Sequence, residues 1–179
     1  MKDRVEIEKL YIFDMDNTIL KNPQKEDCER VWLEKFGTKW PYQGVYSKPE
    51  SLDFNIFNIP TIPHVIEKYN EVKDENNIHN VILTGRLIKL KNEVMNLLNY
   101  HNLYFDEYLL NNKGDTLTFK LFEIERLVKE FANVKEIFIY DDRVEHLPRF
   151  KELALKLEKE RDISIYVYQV TEQGINEIY

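Results

Sequence analysis

The chain alternates short continuous runs of apolar residues with longer segments in which apolar residues recur every three or four positions. Short continuous apolar runs are typical of strands buried on both faces of a parallel sheet. The runs predict five strands, at residues 10–13, 81–83, 107–110, 137–140 and 163–170.

The segments between these runs have the periodicity of helices. After the second run, for example, Leu90, Val94 and Leu97 fall on one helical face. The pattern predicts helices at residues 26–36, 62–72, 87–99, 119–131 and 147–159. Strands that alternate with helices predict an α/β fold, with a Rossmann-like parallel sheet of about five strands flanked by helices. A length of 179 residues predicts one domain over residues 1–179.

One stretch, residues 37–60, has little periodicity and holds Trp40, Tyr42 and Tyr46 among Pro, Gly and Ser. It predicts a long irregular loop, and loops of this length are often functional. We therefore expect residues 22–60 to form a small flap or loop insertion in the domain rather than a full cap domain.

The composition of the chain bears on which partners it can bind and in which compartment it is expected. A net charge of −7 argues against broad binding of duplex DNA, because phosphate contacts come from Lys and Arg. The single cysteine, Cys28, cannot form an intrachain disulfide and is expected to pack inside the protein. The charged N-terminus does not resemble a signal peptide, and no window is apolar enough to span a membrane. These features predict a protein of the cytoplasm.

Polar residues of unusual type follow three of the predicted strands. Ligands of open α/β sheets bind at the carboxyl ends of the strands, so these residues are expected to converge in space. They are Asp14 and Asp16 after the first strand, Thr84, Gly85 and Arg86 after the second, and Asp141, Asp142 and Arg143 after the fourth.

Each of these groups has a chemical use. Three or four carboxylates at adjacent strand ends repel one another and favour a hard divalent cation, for which Mg²⁺ is the natural choice. The Thr84 hydroxyl, with backbone N–H groups at the start of a following helix, suits a phosphate oxygen. Lys120, near the start of the predicted 119–131 helix, is a candidate cation for the same site, and Lys113 competes with it.

These residues resemble the haloacid dehalogenase (HAD) superfamily of phosphatases. The run Asp14-Met15-Asp16-Asn17-Thr18 is similar to the D-x-D-x-T signature of that family. Thr84, Lys120 and the Asp141–Asp142 pair resemble its second, third and fourth motifs, in the right order. Together the motifs span most of the chain, and all four behind apolar strands are highly specific.

The resemblance implies a mechanism. Asp14 would be the nucleophile that forms an aspartyl-phosphate, and Asp16 would act first as acid and then as base. Mg²⁺ would be held by the Asp14 carboxylate, the Asp16 backbone carbonyl and one acid of the 141–142 pair, with Asp142 favoured as ligand. Asp141 would then orient Lys120, while Thr84 and Lys120 neutralise the phosphate oxygens. A phosphomutase shares the D-x-D motif and remains an alternative.

Shorter resemblances bear on the substrate. The Asp141-Asp142-Arg143 ending is similar to polynucleotide kinase-phosphatases, and the run around Trp40 and Tyr42 resembles the Swiss-army-knife RNA-repair branch. They imply removal of a 3′-phosphate from a single-stranded RNA or DNA end. Bases could stack on Trp40 and Tyr42, although these rings could equally pack the loop. Besides Thr84 and Lys120, the residues expected to bind substrate are Gly85, Arg86 and Arg143.

Two other functions stay open on the sequence. One is a phosphatase of small metabolites or phosphoprotein tails, because Asp-Asp-Arg also resembles the carboxy-terminal-domain protein phosphatases. The other is a non-catalytic interaction module on a HAD scaffold. The sequence has no Walker motif, so a kinase or ligase acting with it is expected to be a separate protein.

Overall fold

A computed structural model describes residues 6–179 of the chain. Over these residues one sheet of six strands has the order β3-β2-β1-β4-β5-β6, with β1 to β5 parallel and β6 antiparallel to β5. The strands are β1 (Lys9–Phe13), β2 (Ile78–Leu87), β3 (Glu107–Asn111), β4 (Glu136–Asp141), β5 (Ser164–Thr171) and β6 (Gly174–Glu177).

The same residues form five α-helices: α1 (Lys25–Phe36), α2 (Pro63–Val72), α3 (Lys91–Tyr100), α4 (Thr116–Glu130) and α5 (Leu147–Glu160). The predicted α/β fold with a mostly parallel, Rossmann-like sheet is confirmed. Each strand from β1 to β4 is followed by at least one helix before the next strand begins. Parallel neighbours require such crossover connections.

Two apolar clusters cover the two faces of the sheet. One holds Leu10 and Ile12 of β1 with residues of α4 and α5, and the other holds Tyr11 and Phe13 with residues of α2 and α3. This division follows from the alternation of side chains along a strand. Because both faces are covered, β1 is apolar at nearly every position, which made it easy to predict.

Aromatic side chains form two rows across the second face of the sheet. One row joins Phe13, Tyr140 and Tyr168, with ring centroids 4.8 Å apart at each step. The other row joins residues 11, 138 and 166 at 4.6 and 5.1 Å. Each stacked pair adds about 0.5–1.5 kcal/mol beyond burial. The rows fix the register of β1, β4 and β5, and therefore the alignment of the residues that follow them.

The structure corrects the predicted start of two helices. Strand β2 continues to Leu87 and α3 begins only at Lys91, after a 3-10 helix at Ile88–Leu90. Thr84 therefore does not lie at a helix N-terminus, and the predicted phosphate cradle of helix N–H groups is wrong. Helix α4 begins at Thr116, a turn earlier than predicted, because the Asp115 carboxylate accepts the backbone N–H of Thr118 and caps the helix.

The segment predicted to be an insertion, residues 22–60 (the insertion below), contains α1 and then irregular chain with one 3-10 helix at Pro49–Leu52. Its two ends lie together, because Leu20 forms a bridge with Thr61 and the Lys21 N–H donates to the Pro60 carbonyl. The insertion thus leaves and rejoins the fold just beyond the carboxyl end of β1. No helix among residues 6–179 is long and apolar enough to cross a membrane.

Candidate active site

Three carboxylates meet beyond the carboxyl ends of β1 and β4. These strands are parallel neighbours in which Phe13 pairs with Tyr140, so the next residue along each chain reaches the same edge. Asp14, Asp141 and Asp142 each place an oxygen within 4.8 Å of the others. Asp14 and Asp141 are buried. The sheet register therefore brings together acids that are more than 120 positions apart in the sequence.

Lys120 lies between two of these acids. It is 2% exposed, and its Nζ is 2.7 Å from an Asp14 oxygen and 2.6 Å from an Asp141 oxygen. Burial alone would lower the pKa of Lys120, but the two carboxylates raise it, so the side chain stays charged. Lys113 is exposed in the turn before α4. Of the two lysines, the structure thus brings Lys120 to the site.

The cluster is short of positive charge. Burial, together with the neighbouring acids, raises the pKa of Asp14 to about 8 against the opposing effect of Lys120. Burial and Asp141 raise the pKa of Asp142 to about 6. Asp141 also feels the cost of burial, but Lys120 and His146 hold its pKa below the usual value. With a single lysine among them, two of the three acids keep a raised pKa, so the donor set fits a divalent cation.

Asp16 is held by a second buried cation, Arg86. Its two carboxylate oxygens accept hydrogen bonds of 3.0 and 3.1 Å from Nε of Arg86, and NH2 adds one of 2.6 Å. The Asn22 amide also donates to Asp16. The Arg86 side chain is fully buried, whereas 15% of the Asp16 side chain is exposed. Asp16 is therefore fixed in one orientation and keeps access to the site.

Arg86 also fastens the insertion to the sheet. Its NH1 donates to the Tyr46 carbonyl at 2.9 Å and to the Ser51 hydroxyl at 2.8 Å, and its guanidinium lies 4.9 Å from the Tyr46 ring centroid. The register of β2 against β3 shifts between Thr84 and Leu87, and a bulge of this kind turns a side chain to a new direction. Arg86 was predicted to bind substrate; it lines the active-site cavity, and its guanidinium is engaged with Asp16 and the insertion.

Thr84 and Gly85 lie at the same edge. The Thr84 hydroxyl is buried and accepts the backbone N–H of Arg86 at 3.1 Å. The nearest atom to a Cβ added at Gly85 would be the Thr116 methyl carbon, only 2.6 Å away. Glycine at 85 therefore allows the start of α4 to approach the end of β2, which places Lys120 over the acids.

A cavity of about 110 Å³ opens between these groups. Its lining residues are Asp14, Asp16, Tyr46, Gly85, Arg86, Thr116, Lys120 and Arg143. Arg143 is exposed, and its guanidinium makes no ion pair within residues 6–179. The cavity thus has carboxylates and a lysine at its base and a free guanidinium at its mouth.

Trp40 and Tyr42 lie in the insertion but do not line this cavity. Trp40 is 8% exposed, packs edge-on against Trp32 and donates its indole N–H to the Gly44 carbonyl. The Tyr42 hydroxyl donates to Glu50. Of the two alternatives that the sequence left open for these rings, indole burial and the hydroxyl contact favour anchoring of the loop over stacking on substrate.

Tyr46 and His146 also lie at the site, although neither was assigned a role there from the sequence. Tyr46, the third aromatic residue of the predicted loop, lines the cavity and is 37% exposed. His146 is buried with its Nδ1 3.4 Å from an Asp141 oxygen. The sequence offered a weak signal for each, because Tyr46 stood in an aromatic loop and His146 stood close to an acidic strand end.

Comparison with known proteins gives a family. Residues 53–176 match the family model described as HAD domain family 1 in Swiss Army Knife RNA repair proteins, over more than half of the chain. The matched range contains Thr84, Lys120, Asp141 and Asp142, whereas Asp14 and Asp16 precede it.

Comparisons with curated proteins and with solved structures give less information. No curated protein matches the chain. Among solved structures, the archaeal beta-phosphoglucomutase of the hyperthermophile Pyrococcus sp. strain ST 04 aligns with a TM-score of 0.44 and 14% sequence identity. The alignment covers 82% of this chain and 83% of that one.

Proposed function

This chain belongs to HAD domain family 1 of Swiss Army Knife RNA repair proteins, and on that premise we propose that it is a magnesium-dependent phosphomonoester hydrolase acting on 3′-phosphate ends of nucleic acid. One observation carries the proposal: the buried ammonium of Lys120 joins Asp14 to Asp141 beside Asp142. A lysine within such a carboxylate cluster is costly to bury and serves stability poorly. It suits a site where negative charge develops.

Asp14 is the nucleophile in this proposal. One of its oxygens forms a bond to phosphorus while the bond from phosphorus to the leaving oxygen breaks, giving an aspartyl-phosphate. Water then attacks that phosphorus and releases inorganic phosphate, which returns Asp14 as a carboxylate. Lys120, 2.7 Å from Asp14, directs the attacking oxygen and stabilises negative charge on the phosphoryl group.

Asp16 is the acid and base. It gives a proton to the leaving oxygen in the first step and takes one from water in the second. Arg86 and Asn22 hold its carboxylate in place, and it lines the same cavity as Asp14. Donors that fix the carboxylate before reaction reduce the reorganisation that proton transfer requires.

The residues that would hold Mg²⁺ are Asp14, Asp142 and the backbone carbonyl of Asp16, with Asp141 turned towards Lys120. When bound, the ion would neutralise charge between an anionic nucleophile and an anionic phosphate. Arg143 at the cavity mouth, together with Thr84 and Gly85 at the edge of β2, would face the remaining phosphate oxygens.

The choice of a nucleic-acid end is supported by the family description and by the shape of the site. The insertion supplies one partly exposed ring, Tyr46, beside Arg143 at the mouth of the cavity. A guanidinium beside a partly exposed ring favours the phosphate of an unpaired nucleotide. With α1 as its main regular element, the insertion is smaller than a full cap domain, and a small insertion would admit a polymer end. We propose that a kinase or ligase acting on the same end is a separate protein.

The test is phosphate release by the purified protein with and without Mg²⁺. The panel contains an aryl phosphate, 3′-phosphorylated RNA and DNA oligonucleotides, sugar phosphates and a phosphopeptide. Asp14→Asn should lower turnover at least about a thousandfold, because the nucleophile is lost. Asp74→Asn, at an exposed carboxylate after α2, is the matched control and should have no effect.

The results separate the candidate functions. Preference for 3′-phosphorylated ends supports the proposal. Preference for a sugar phosphate or the phosphopeptide would show that the proposed substrate is wrong, while the proposed mechanism would still hold. Absence of release from every compound, in protein that unfolds cooperatively, would refute the catalytic proposal and leave an interaction module.

A further inference from the structure

A second and larger cleft begins at the acid cluster. It has a volume of about 710 Å³ and is lined by Asp142, by the chain that enters and leaves the insertion, and by the end of β5. Small-molecule sites are typically about 300–1,000 Å³. The cleft is therefore large enough for the group that carries the phosphate, whereas the 110 Å³ cavity is not.

Two residues in the wall of the cleft also contact catalytic groups. Asp142 belongs both to the acid cluster and to the wall of the cleft. Asn22 lines the cleft and donates its amide to Asp16, the proposed proton donor. A leaving group that receives its proton from Asp16 would thus lie close to this cleft.

The cations of the cleft, Lys21 and Arg30, each lie beside a carboxylate. Lys21 pairs with Glu172 at 2.9 Å, and Arg30 pairs with Asp27 at 3.3 Å. A groove that grips a polynucleotide backbone presents unpaired Lys and Arg to successive phosphates. This cleft presents ion pairs instead, so a chain of phosphates gains little there.

What the cleft does present is carboxamide and apolar surface. Asn58 and Gln169 are among its lining residues, and their side chains make no hydrogen bond within residues 6–179. Ile62 and Val170 also line the cleft and contribute apolar surface. Carboxamides offer a donor and an acceptor side by side, which matches the edges of nucleobases and the hydroxyl groups of ribose. The surface therefore suits a neutral group rich in hydrogen-bonding atoms.

We propose that this cleft binds the terminal nucleoside of the substrate and that Asn58 and Gln169 are its specificity residues. The inference rests on the proposed function, because it places the leaving group of that reaction. It also gives the enzyme a footprint of one nucleotide: the terminal nucleoside is bound, and the phosphates further along the strand are not.

Binding is measured apart from turnover, in Asp14→Asn protein with Mg²⁺, by titration calorimetry with uridine and adenosine 3′-monophosphates. Gln169→Leu and Asn58→Ala should each weaken binding about five- to tenfold, since each removes one or two hydrogen bonds. A 3′-phosphorylated abasic riboside lacks the base. Its affinity for the Asp14→Asn parent should be no higher than the affinity of the two variants for the nucleotides. Gln173→Ala, at the exposed β5–β6 turn, is the matched control and should bind as the parent does.

The kinetics of the wild-type protein test whether the enzyme binds only one nucleotide of the strand. The ratio kcat/KM should change less than about threefold from a mononucleotide to a decamer and should depend only weakly on salt, because few phosphates are contacted. Unchanged binding by Gln169→Leu and Asn58→Ala, equal binding of the abasic riboside, or a steep rise of kcat/KM with length would each overturn the inference.

The proposed function has its own test, independent of the inference about the cleft. It is wrong if wild-type protein releases no phosphate from any compound. Nucleotide binding that depends on Gln169 in that case would still support the cleft as a nucleoside site.

Discussion

Lys120 and Arg86 are both buried cations that hold carboxylates of the site, yet they are placed differently. Lys120 joins two acids that follow neighbouring strands, Asp14 and Asp141. Arg86 joins one acid, Asp16, to the insertion through the Tyr46 carbonyl and the Ser51 hydroxyl. The first cation concentrates charge where the phosphoryl group would react, and the second couples that place to a loop.

The difference shows that the chemistry of the site and its structural organisation depend on two different cations. An ammonium on a flexible stem interacts as a point charge and serves two acids at once. A guanidinium is a planar fork that fixes several partners in direction, so it suits the link between Asp16 and the insertion. Loss of the first should mainly affect chemistry, and loss of the second should mainly affect organisation.

The largest effect is expected for Lys120. Lys120→Ala should lower kcat about 10³-fold or more, because a charged donor at the reacting group is lost. Lys113→Ala, at the exposed lysine before α4, should leave kcat within about twofold. Steady-state kinetics on an aryl phosphate measure both variants. A severe loss in Lys113→Ala alone would show that the wrong lysine has been placed in the site.

Arg86 comes next and should act on stability. Arg86→Ala leaves Asp16 partly buried without its partner and frees the insertion, which should lower the free energy of unfolding by about 3 kcal/mol. Arg86→Lys should recover only part of this loss, because an ammonium cannot reproduce the fork. Urea denaturation gives the values. Arg149→Ala, at an exposed pair with Glu152, should change stability by less than about 0.5 kcal/mol and is the control.

Mg²⁺ binding should strengthen as the pH rises from 6 to 8. The pKa of Asp14 is raised to about 8 and that of Asp142 to about 6 without metal, so binding an ion displaces protons at low pH. The apparent affinity should rise up to about tenfold per pH unit for each proton displaced. Calorimetry in two buffers of different ionisation enthalpy measures the protons released. An affinity that is flat over this range would argue against Asp14 as a ligand.

The smallest effect is expected for Ser51. Ser51→Ala removes one hydrogen bond from NH1 of Arg86 and leaves the ion pair with Asp16 intact, so it should cost about 1 kcal/mol of stability. A double-mutant cycle with Arg86→Ala isolates the shared contact. Coupling indistinguishable from zero would mean that Arg86 does not fasten the insertion through this residue.

Much of the fold was predictable because burial on both faces leaves a strong trace in the sequence. Strands β1 and β4 read as uninterrupted apolar runs, and their acidic ends identified Asp14 and Asp141 before any contact was known. The short antiparallel strand β6 was missed. It is polar and half-exposed, so it has no pattern of its own and depends on pairing with β5.

The partners of Arg86 could not be predicted. The sequence placed it beside Thr84 after a strand, which suggested a substrate contact. Its direction is set by the irregular register of β2 against β3, and its partners Tyr46 and Ser51 lie 40 and 35 positions away in the chain. Trp40 was ambiguous for a similar reason, since a loop aromatic looks alike whether it faces ligand or core.

The sequence by itself determined the order of the elements, the edge of the sheet that carries the chemistry and the acids and lysine found there. Apolar periodicity and strand ends are local properties, so they can be identified from the order of neighbouring residues alone. The tertiary structure alone decided which cation serves which acid, which rings stay exposed and where the larger cleft lies. Those features depend on long-range register and on how an irregular loop packs, because neither leaves a periodic trace in the sequence.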